Sequence, residues 1–281
     1  MRVLITGASG NVGSVVLKRL LHSSLDLHVG VRDVGRVTKI LRTDRVDYCQ
    51  LDFEKEQYPD IEFDAVFLVR PPQLADPRLF ENFLRTLRPD TRIVFLSVLG
   101  ADTKAYLPHA KIEQVILKLG LPHVFIRPSY FMENLTTTLW EELEKNNRIF
   151  LPAGDLKLNW VAIQDIAEIA AKALKGDIGD ISVEVCGPEM LGFAEVVDLI
   201  NAACGTHVVY ESPSLFRYLG HCLMQRETLS YIFVMLMLHY LPRFSRGETP
   251  VSHDFERITR KPPKCVESFV AEHKHVFNKL I

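Results

Sequence analysis

Two residues into the chain the apolar run Val3-Leu4-Ile5 gives way to Thr6-Gly7-Ala8-Ser9-Gly10-Asn11-Val12-Gly13, after which Val12, Val16 and Leu20 recur on one side of a helix. A strand, a glycine-rich turn and a helix in that order open a dinucleotide-binding β-α-β unit. Glycine at 7 permits a turn that a side chain would block, glycine at 10 lets the backbone approach a pyrophosphate, and glycine at 13 lets the helix pack closely on the strand. The helix start then presents free N–H groups to the phosphates. Gly7, Ser9, Gly10, Asn11, Val12 and Gly13 are therefore candidate cofactor contacts. The plainer reading is a strand-turn-helix that holds no ligand.

From Met1 to about Arg127 short β-branched runs alternate with helical periodicity, which predicts a parallel sheet covered by helices. Strands are expected at Arg2–Thr6, Leu27–Arg32, Val46–Leu51, Ala65–Val69, Arg92–Ser97, His123–Arg127 and Ile181–Cys186. Ile112, Val115, Ile116 and Leu119 place one apolar stripe on a helix that Gly120 ends. The expected fold is α/β, a Rossmann-like doubly wound parallel sheet in residues 1–150. No repeat or low-complexity linker sets residues 151–281 apart, so a smaller C-terminal portion is expected to pack on the first and complete its sheet.

Composition excludes more than it identifies. With 47% hydrophobic and 24% charged residues the chain is an ordinary globular protein. A net charge of -2 gives no electrostatic argument for nucleic acid or an anionic membrane, and no basic patch or helix-turn-helix signature points to direct DNA binding. Cysteines at 49, 186, 204, 222 and 265 are scattered and free of any CxxC pair, so neither a disulfide framework nor a metal site is expected. The chain enters a strand at once, leaving no room for a signal peptide, and a cytoplasmic setting is expected. The run Leu229–Leu241 (LSYIFVMLMLHYL) is too short to span a bilayer. As a helix apolar all round it needs a cover: core, a flat greasy substrate, a second subunit that would make a homodimer, or a membrane surface.

The GxxGxxG spacing with Thr6 before it resembles the fingerprint of the short-chain dehydrogenase/reductase superfamily. About twenty residues on, where the adenosine ribose is read, stand Arg32 and Asp33. An acid there accepts from a 2'-hydroxyl, whereas a cation pairs with a 2'-phosphate. With Arg32 at the strand end and Lys39 one helical stretch later, NADP(H) is the preferred cofactor and NAD(H) the alternative. Otherwise Arg32 is a solvated strand-end charge. Asp52-Phe53 resembles the pair with which the superfamily holds adenine; it reads equally as a capping aspartate before a core aromatic. Val69-Arg70-Pro71 ends the fourth strand, where the chain passes under the cofactor, and Arg70 reads as a contact to a phosphate or an acidic substrate, or as a surface charge.

Farther along, Ile93 to Ser97, Pro108-His-Ala-Lys-Ile-Glu113 and Phe125-Ile-Arg-Pro128-Ser-Tyr-Phe-Met-Glu-Asn134 resemble the NmrA-like family of atypical short-chain dehydrogenases. Trp160-Val-Ala-Ile-Gln-Asp165, Val185-Cys-Gly-Pro-Glu189 and Phe255 to Pro263 follow its later signposts in order. The likeness covers essentially the whole chain and stands nearest the bacterial reductase-like members and the ergot-alkaloid reductases. It implies NAD(P)(H) binding, with the C-terminal portion closing a substrate pocket over the nicotinamide. Members divide between reductases of quinones, azo compounds and imines and redox-sensing regulators with little catalysis.

Typical superfamily members carry Tyr-x-x-x-Lys, the tyrosine passing a proton and the lysine lowering its pKa and holding the nicotinamide ribose. If Lys111 is that lysine, Leu107 stands where the tyrosine would be. Tyr106 is roughly 100° round a helix from that place. His109 and Tyr130 are the other candidate donors; their plainer roles are a polar residue at a helix start and a pocket-wall aromatic. Lys111 and Tyr130 are thus the candidate catalytic residues, with Lys111 also a ribose contact, or else a solvated lysine. Ser97 either lines the nicotinamide pocket or ends its strand with a turn hydrogen bond, and Asp165 most simply caps a helix. The expected function is an NAD(P)H-dependent reductase of a small aromatic, quinone-like or imine acceptor; the alternatives are a cofactor-binding sensor acting through protein partners and an inactive scaffold.

Overall fold

The computed structural model describes residues 1–244 and 251–280. Its first half alternates β1 (Arg2–Thr6), α1 (Asn11–Leu20), β2 (Asp26–Val31), α2 (Val34–Leu41), β3 (Asp47–Gln50), β4 (Ala65–Val69), α3 (Pro77–Leu84), β5 (Arg92–Leu96), α4 (Pro108–Lys118) and β6 (His123–Pro128). There follow β7 (Tyr130–Phe131), α5 (Trp140–Asn146), β8 (Arg148–Phe150), β9 (Lys157–Val161), α6 (Ile163–Lys175), β10 (Ile181–Val185), β11 (Met190–Gly192), α7 (Phe193–Cys204) and β12 (Val209–Glu211). Helices α8 (Leu215–Met224), α9 (Leu229–Met235), α10 (Asp254–Thr259), α11 (Val266–Glu272) and α12 (Lys274–Phe277) complete the chain.

Contacts divide the molecule into two compact units that are interleaved in sequence. The first takes Met1–Ser129, Ile163–Val185 and Ser252–Pro262; the second takes Tyr130–Ala162, Cys186–Val251 and Pro263–Ile281. The expected division at residue 150 is therefore corrected. The signal that put it there was the end of the regular alternation, and α6 and β10 belong to the sheet unit although they lie beyond that point.

The first unit is a seven-stranded sheet in the order β10-β6-β5-β4-β1-β2-β3, with every neighbouring pair parallel. This is a Rossmann-like doubly wound sheet, with its reversal of strand order between β1 and β4. Strands buried on both faces read as unbroken apolar runs rather than as alternation, and β4, AVFLV, is buried over its first four residues. Helix starts follow local chemistry: Asp33 caps α2 by accepting from the Arg36 amide at 2.9 Å, and Asp76 caps α3 ahead of Pro77. The strand boundaries read from sequence hold to within about a residue or two, the ordinary fraying of element ends.

The second unit holds a three-stranded sheet, β11-β9-β7, and the pair β12-β8. Trp160, Phe193, Phe269 and Phe277 are buried in its core. Here the Leu229–Leu241 run forms α9 followed by a π-helical turn, Leu236–Tyr240. Only Ile232, Met235 and His239 of that run are buried. Core covers one side of it, not its whole circumference. No helix among the described residues is long and apolar enough to cross a membrane.

Candidate functional site

The glycine loop has the geometry its spacing demands. Gly7 takes φ +66°, a left-handed conformation that favours glycine, and a Cβ there would come 3.1 Å from the Val69 Cβ. The Gly10 amide donates to the Gly7 carbonyl at 2.9 Å. A Cβ on Gly13 would fall 2.2 Å from that same carbonyl oxygen, so α1 can lie this close to the loop only with glycine there. Thr6 fixes the strand end: its hydroxyl donates to the Phe67 carbonyl at 3.1 Å and accepts from the Val69 amide at 2.8 Å. These bonds bring loop and β4 end together. Helix α1 begins at Gly10 with no side-chain cap and no acid in its first turn. Its leading N–H groups are left for a ligand, and Ser9, Gly10 and Asn11 are exposed beside them. The cradle fits a pyrophosphate.

At the end of β2 the two candidate ribose readers have separated roles. Asp33 is occupied as the cap of α2. Arg32 is exposed, its guanidinium 3.9 Å from Glu54 at the surface. Only Arg32 is free to meet a group above the strand ends.

Phe53 takes the core reading, whereas Asp52 holds a turn and caps no helix. The Asp52 carboxylate accepts from the amides of Glu54 and Lys55 at 3.0 and 3.2 Å, holding a turn. Phe53 is buried, with its ring 4.9 Å from Phe80 and 5.6 Å from Phe83. Adenine contact by Phe53 is corrected to a core role, because two other phenylalanines already cover its ring.

Arg70 is neither a free phosphate contact nor a surface charge. One of its terminal nitrogens donates to the carbonyls of Pro71, Pro72 and Leu74 at 2.8 to 3.0 Å. Its Nε donates to Nε2 of His109 at 3.3 Å. The two prolines have no amide to donate, and Arg70 spans three carbonyls of the β4–α3 turn, that of Pro71 accepting also from the Leu74 amide at 3.0 Å. Burial and the guanidinium together push His109 down to about 4, and Nε2, as acceptor, leaves the ring proton on Nδ1. His109 is a neutral imidazole at ordinary pH, not a proton donor held in reserve.

Ser97 points inward. Its hydroxyl donates to Glu113 at 2.5 Å, and Arg127 reaches the same carboxylate through Nε at 3.0 Å and a terminal nitrogen at 2.6 Å. All three are buried. Both readings of Ser97, pocket wall and turn bond, are replaced by this network, whose other members come from α4 and β6. Nothing in sequence singled out Glu113 beyond its place in the Lys-Ile-Glu motif. Lys111 is exposed at the start of α4, its amide donating to the Leu107 carbonyl at 3.2 Å and its side chain without a hydrogen bond or ion pair among the described residues. Leu107 is the N-cap of that helix, and Tyr106 lies before it, exposed to solvent.

Tyr130 belongs to the second unit. Its hydroxyl lies 2.9 Å from Nε2 of His239, whose Nδ1 lies 2.9 Å from the Met235 carbonyl. A carbonyl can only accept, so Nδ1 carries the proton, Nε2 accepts, and Tyr130 donates. Burial pushes the Tyr130 hydroxyl up and His239 down to about 4. The Trp160 ring stands edge-on to Tyr130 at 4.8 Å. His239 was the overlooked partner; its signal was one polar residue inside an apolar run, which demands a hydrogen bond when buried.

A cavity of about 100 Å³ in this unit is lined by Glu142, Phe150, Tyr218, His221, Cys222 and Tyr231 among others. Ligand clefts run to roughly 300–1,000 Å³, so this one is too small for an aromatic acceptor. Asp165 lies buried in the first turn of α6. In the first unit Asp26, His28 and Asp47 bring three metal-ligating atoms within 4.8 Å of one another. Asp26 there already accepts from Arg2 at 3.0 Å and lies 3.1 Å from His28 Nε2.

The sequence profile of the NmrA-like family matches residues 97–236. This stretch includes the buried Ser97–Glu113–Arg127 network and the Tyr130 segment. Over those residues the chain is NmrA-like. Among relatives of this NmrA-like chain, the prestalk A differentiation protein A of Dictyostelium discoideum is 27% identical over 97% of this chain and 92% of its own length. The NAD(P)H azoreductase of Xenophilus azovorans is 26% identical over 76% of this chain and 77% of its own. The structure of Citrobacter sp. triphenylmethane reductase complexed with NADP(H) superposes with a TM-score of 0.81, covering 98% of this chain and all of that one at 14% identity. At that identity it bears on the fold.

Proposed function

We propose that this NmrA-like protein is an NADPH-dependent oxidoreductase that passes a hydride to a small aromatic, quinone-like or imine acceptor, with NADH a poorer substitute. The observation that carries the cofactor is the pairing of an uncapped α1 start behind the Gly7–Gly13 loop with an exposed Arg32, held only by a 3.9 Å surface contact to Glu54, while Asp33 is tied into its own helix. A 2'-phosphate rewards a free guanidinium and repels a free carboxylate. The relatives' names point the same way, an NAD(P)H azoreductase among them.

When bound, the nicotinamide supplies the hydride, and the protein's part is to bind and orient. Gly7, Ser9, Gly10, Asn11, Val12 and Gly13 would hold the pyrophosphate, Val69 and Pro71 would floor the site, and Lys111, its side chain unpartnered among the described residues, would hold the nicotinamide ribose. None of the candidate acids among the described residues stands poised: Leu107 stands four residues before Lys111, His109 is neutral, and Tyr130 already donates to His239. The acceptor must therefore be one that takes a hydride without a strong enzyme acid, drawing its proton from solvent. Quinones and iminium ions do so; simple ketones do not.

The same observation favours a second reading, an NADP(H)-binding sensor that acts through protein partners. Nicotinamide fluorescence titration followed by NADPH oxidation against quinones, imines and azo dyes separates the two. Turnover on any of these acceptors supports the reductase. Tight NADPH binding without turnover on all of them assigns the sensor, and failure to bind NADPH removes both.

A further inference from the structure

We infer that the outer face of α8 and α9 docks on a lipid surface bearing anionic headgroups. Both helices bury one side in the same core, through Tyr218 and Cys222 on α8 and Ile232 and Met235 on α9. Their opposite sides are apolar as well. On α8, Phe216, Leu223 and Met224 face solvent, Phe216 being 85% and Met224 86% exposed; after the turn, Leu229 at 81%, Phe233 at 60% and Met237 continue the stripe at every fourth residue. Isolated exposed apolar residues are ordinary, whereas a run of large ones on two consecutive helices marks an interaction site.

Charge decides the occupant. Between Leu215 and Phe244 stand three arginines and a single carboxylate, Glu227, in a chain whose overall charge is -2. Arg217 is paired with Glu211, but Arg226 and Arg243 have no acidic partner among the described residues. Arg243 lies over the rings of Tyr240 and Phe244, at 5.7 and 5.4 Å from their centroids. Phe244 is exposed and Tyr240 half-buried, and Arg243, which also donates to the Pro152 carbonyl at 3.2 Å, follows the apolar run directly in sequence. A guanidinium beside an exposed ring next to an apolar stripe suits an interfacial anchor, the ring entering the headgroup boundary while the cation meets lipid phosphates. A second copy of the chain fits less well, because a two-fold contact would set the same unpaired arginines against each other. The chain would lie on the membrane, and no segment would cross it.

The test is sedimentation of the full-length protein with phosphatidylcholine vesicles containing or lacking phosphatidylserine. The wild type is expected to sediment with the phosphatidylserine vesicles and to be released by salt. Leu229→Glu with Phe233→Glu is expected to lower binding at least roughly tenfold, since both the apolar contact and the charge sign turn unfavourable. Arg226→Glu with Arg243→Glu is expected to abolish the preference for phosphatidylserine. All four side chains are solvent-exposed, so an unchanged far-ultraviolet circular dichroism melt establishes that the variants fold. A wild type that stays in the supernatant with both vesicles overturns the inference, as does binding indifferent to these substitutions. A dimer in sedimentation equilibrium that Phe233→Glu dissolves, without vesicle binding, assigns the face to a second copy instead.

Discussion

The Tyr130 hydroxyl and Nε2 of His239 lie 2.9 Å apart although 109 residues separate them in sequence. Removing the imidazole takes one hydrogen bond from the Tyr130 hydroxyl, which keeps Asn134 as a neighbour, and one from the Met235 carbonyl. His239→Ala is expected to destabilise the protein by roughly 2–4 kcal/mol, from the cavity and the lost hydrogen bonds together. Urea denaturation measures it; a loss within experimental error would mean that water replaces the ring without cost.

The same ring makes stability depend on pH. Its ordinary value is 6.5 and burial first of all lowers it to about 4 in the folded protein. The unfolded chain therefore binds the proton that the folded chain refuses. The contribution is complete above pH 6.5, falls as pH drops toward 4, and is constant below. It amounts to something on the order of 3 kcal/mol across that window. His109, also lowered to about 4, acts in the same direction. Denaturation midpoints at a series of pH values in wild type and His239→Phe should show a shallower acid loss in the variant; parallel curves would refute the assignment to His239.

Glu113 is the keystone of the buried network in the first unit. Glu113→Ala leaves the Arg127 guanidinium, which that carboxylate holds above its ordinary value, buried without its main partner. The expected cost is about 3–5 kcal/mol. Ser97→Ala removes one hydrogen bond of the set and is expected to cost about 1–2 kcal/mol. Thermal or urea unfolding compares them, and Ser97→Ala leaving NADPH affinity unchanged is the further expectation, since the hydroxyl points at Glu113 rather than into a cofactor cleft. A large loss of affinity would contradict that placement.

For the loop, Gly13→Ala is expected to weaken NADPH binding more than tenfold, because its Cβ would collide with the Gly7 carbonyl at 2.2 Å. Fluorescence titration reads the loss directly. Unchanged affinity would mean that the loop takes no part in holding the cofactor.

Arg32→Ala should raise the dissociation constant for NADPH roughly ten- to a hundredfold and scarcely move that for NADH, as a lost charge-assisted contact would. Asp33→Ala should instead cost about 1 kcal/mol of stability, the usual price of an N-cap, without changing the preference between the two. Equal losses for both nucleotides in Arg32→Ala would show that the guanidinium does not read the 2'-phosphate.

Local signals were legible in the sequence and distant partnerships were not. The glycine turn and the strand Ala65–Val69 depend on near neighbours, and pattern alone locates them. Asp52 and Phe53 carried two readings because a capping aspartate before an aromatic looks the same whether the ring meets adenine or Phe80. Ser97, Glu113 and Arg127 come from three elements brought together by parallel strand pairing, and no spacing encodes that meeting. The Leu229–Leu241 segment misled for another reason: a stripe that faces core and a stripe that faces out carry the same residue types.

The chain leaves and re-enters its sheet unit repeatedly, returning at Ile163 for α6 and β10 and again at Ser252 for α10. The Glu184 amide on β10 donates to Asp254 of α10 at 3.1 Å, and Lys261 reaches Glu168 of α6 at 3.0 Å. A gene cut at any single point therefore cannot part the two units whole into separate pieces. The two have to be inherited, expressed and translated together, and the last strand of the sheet waits on the ribosome until well over half the protein has emerged.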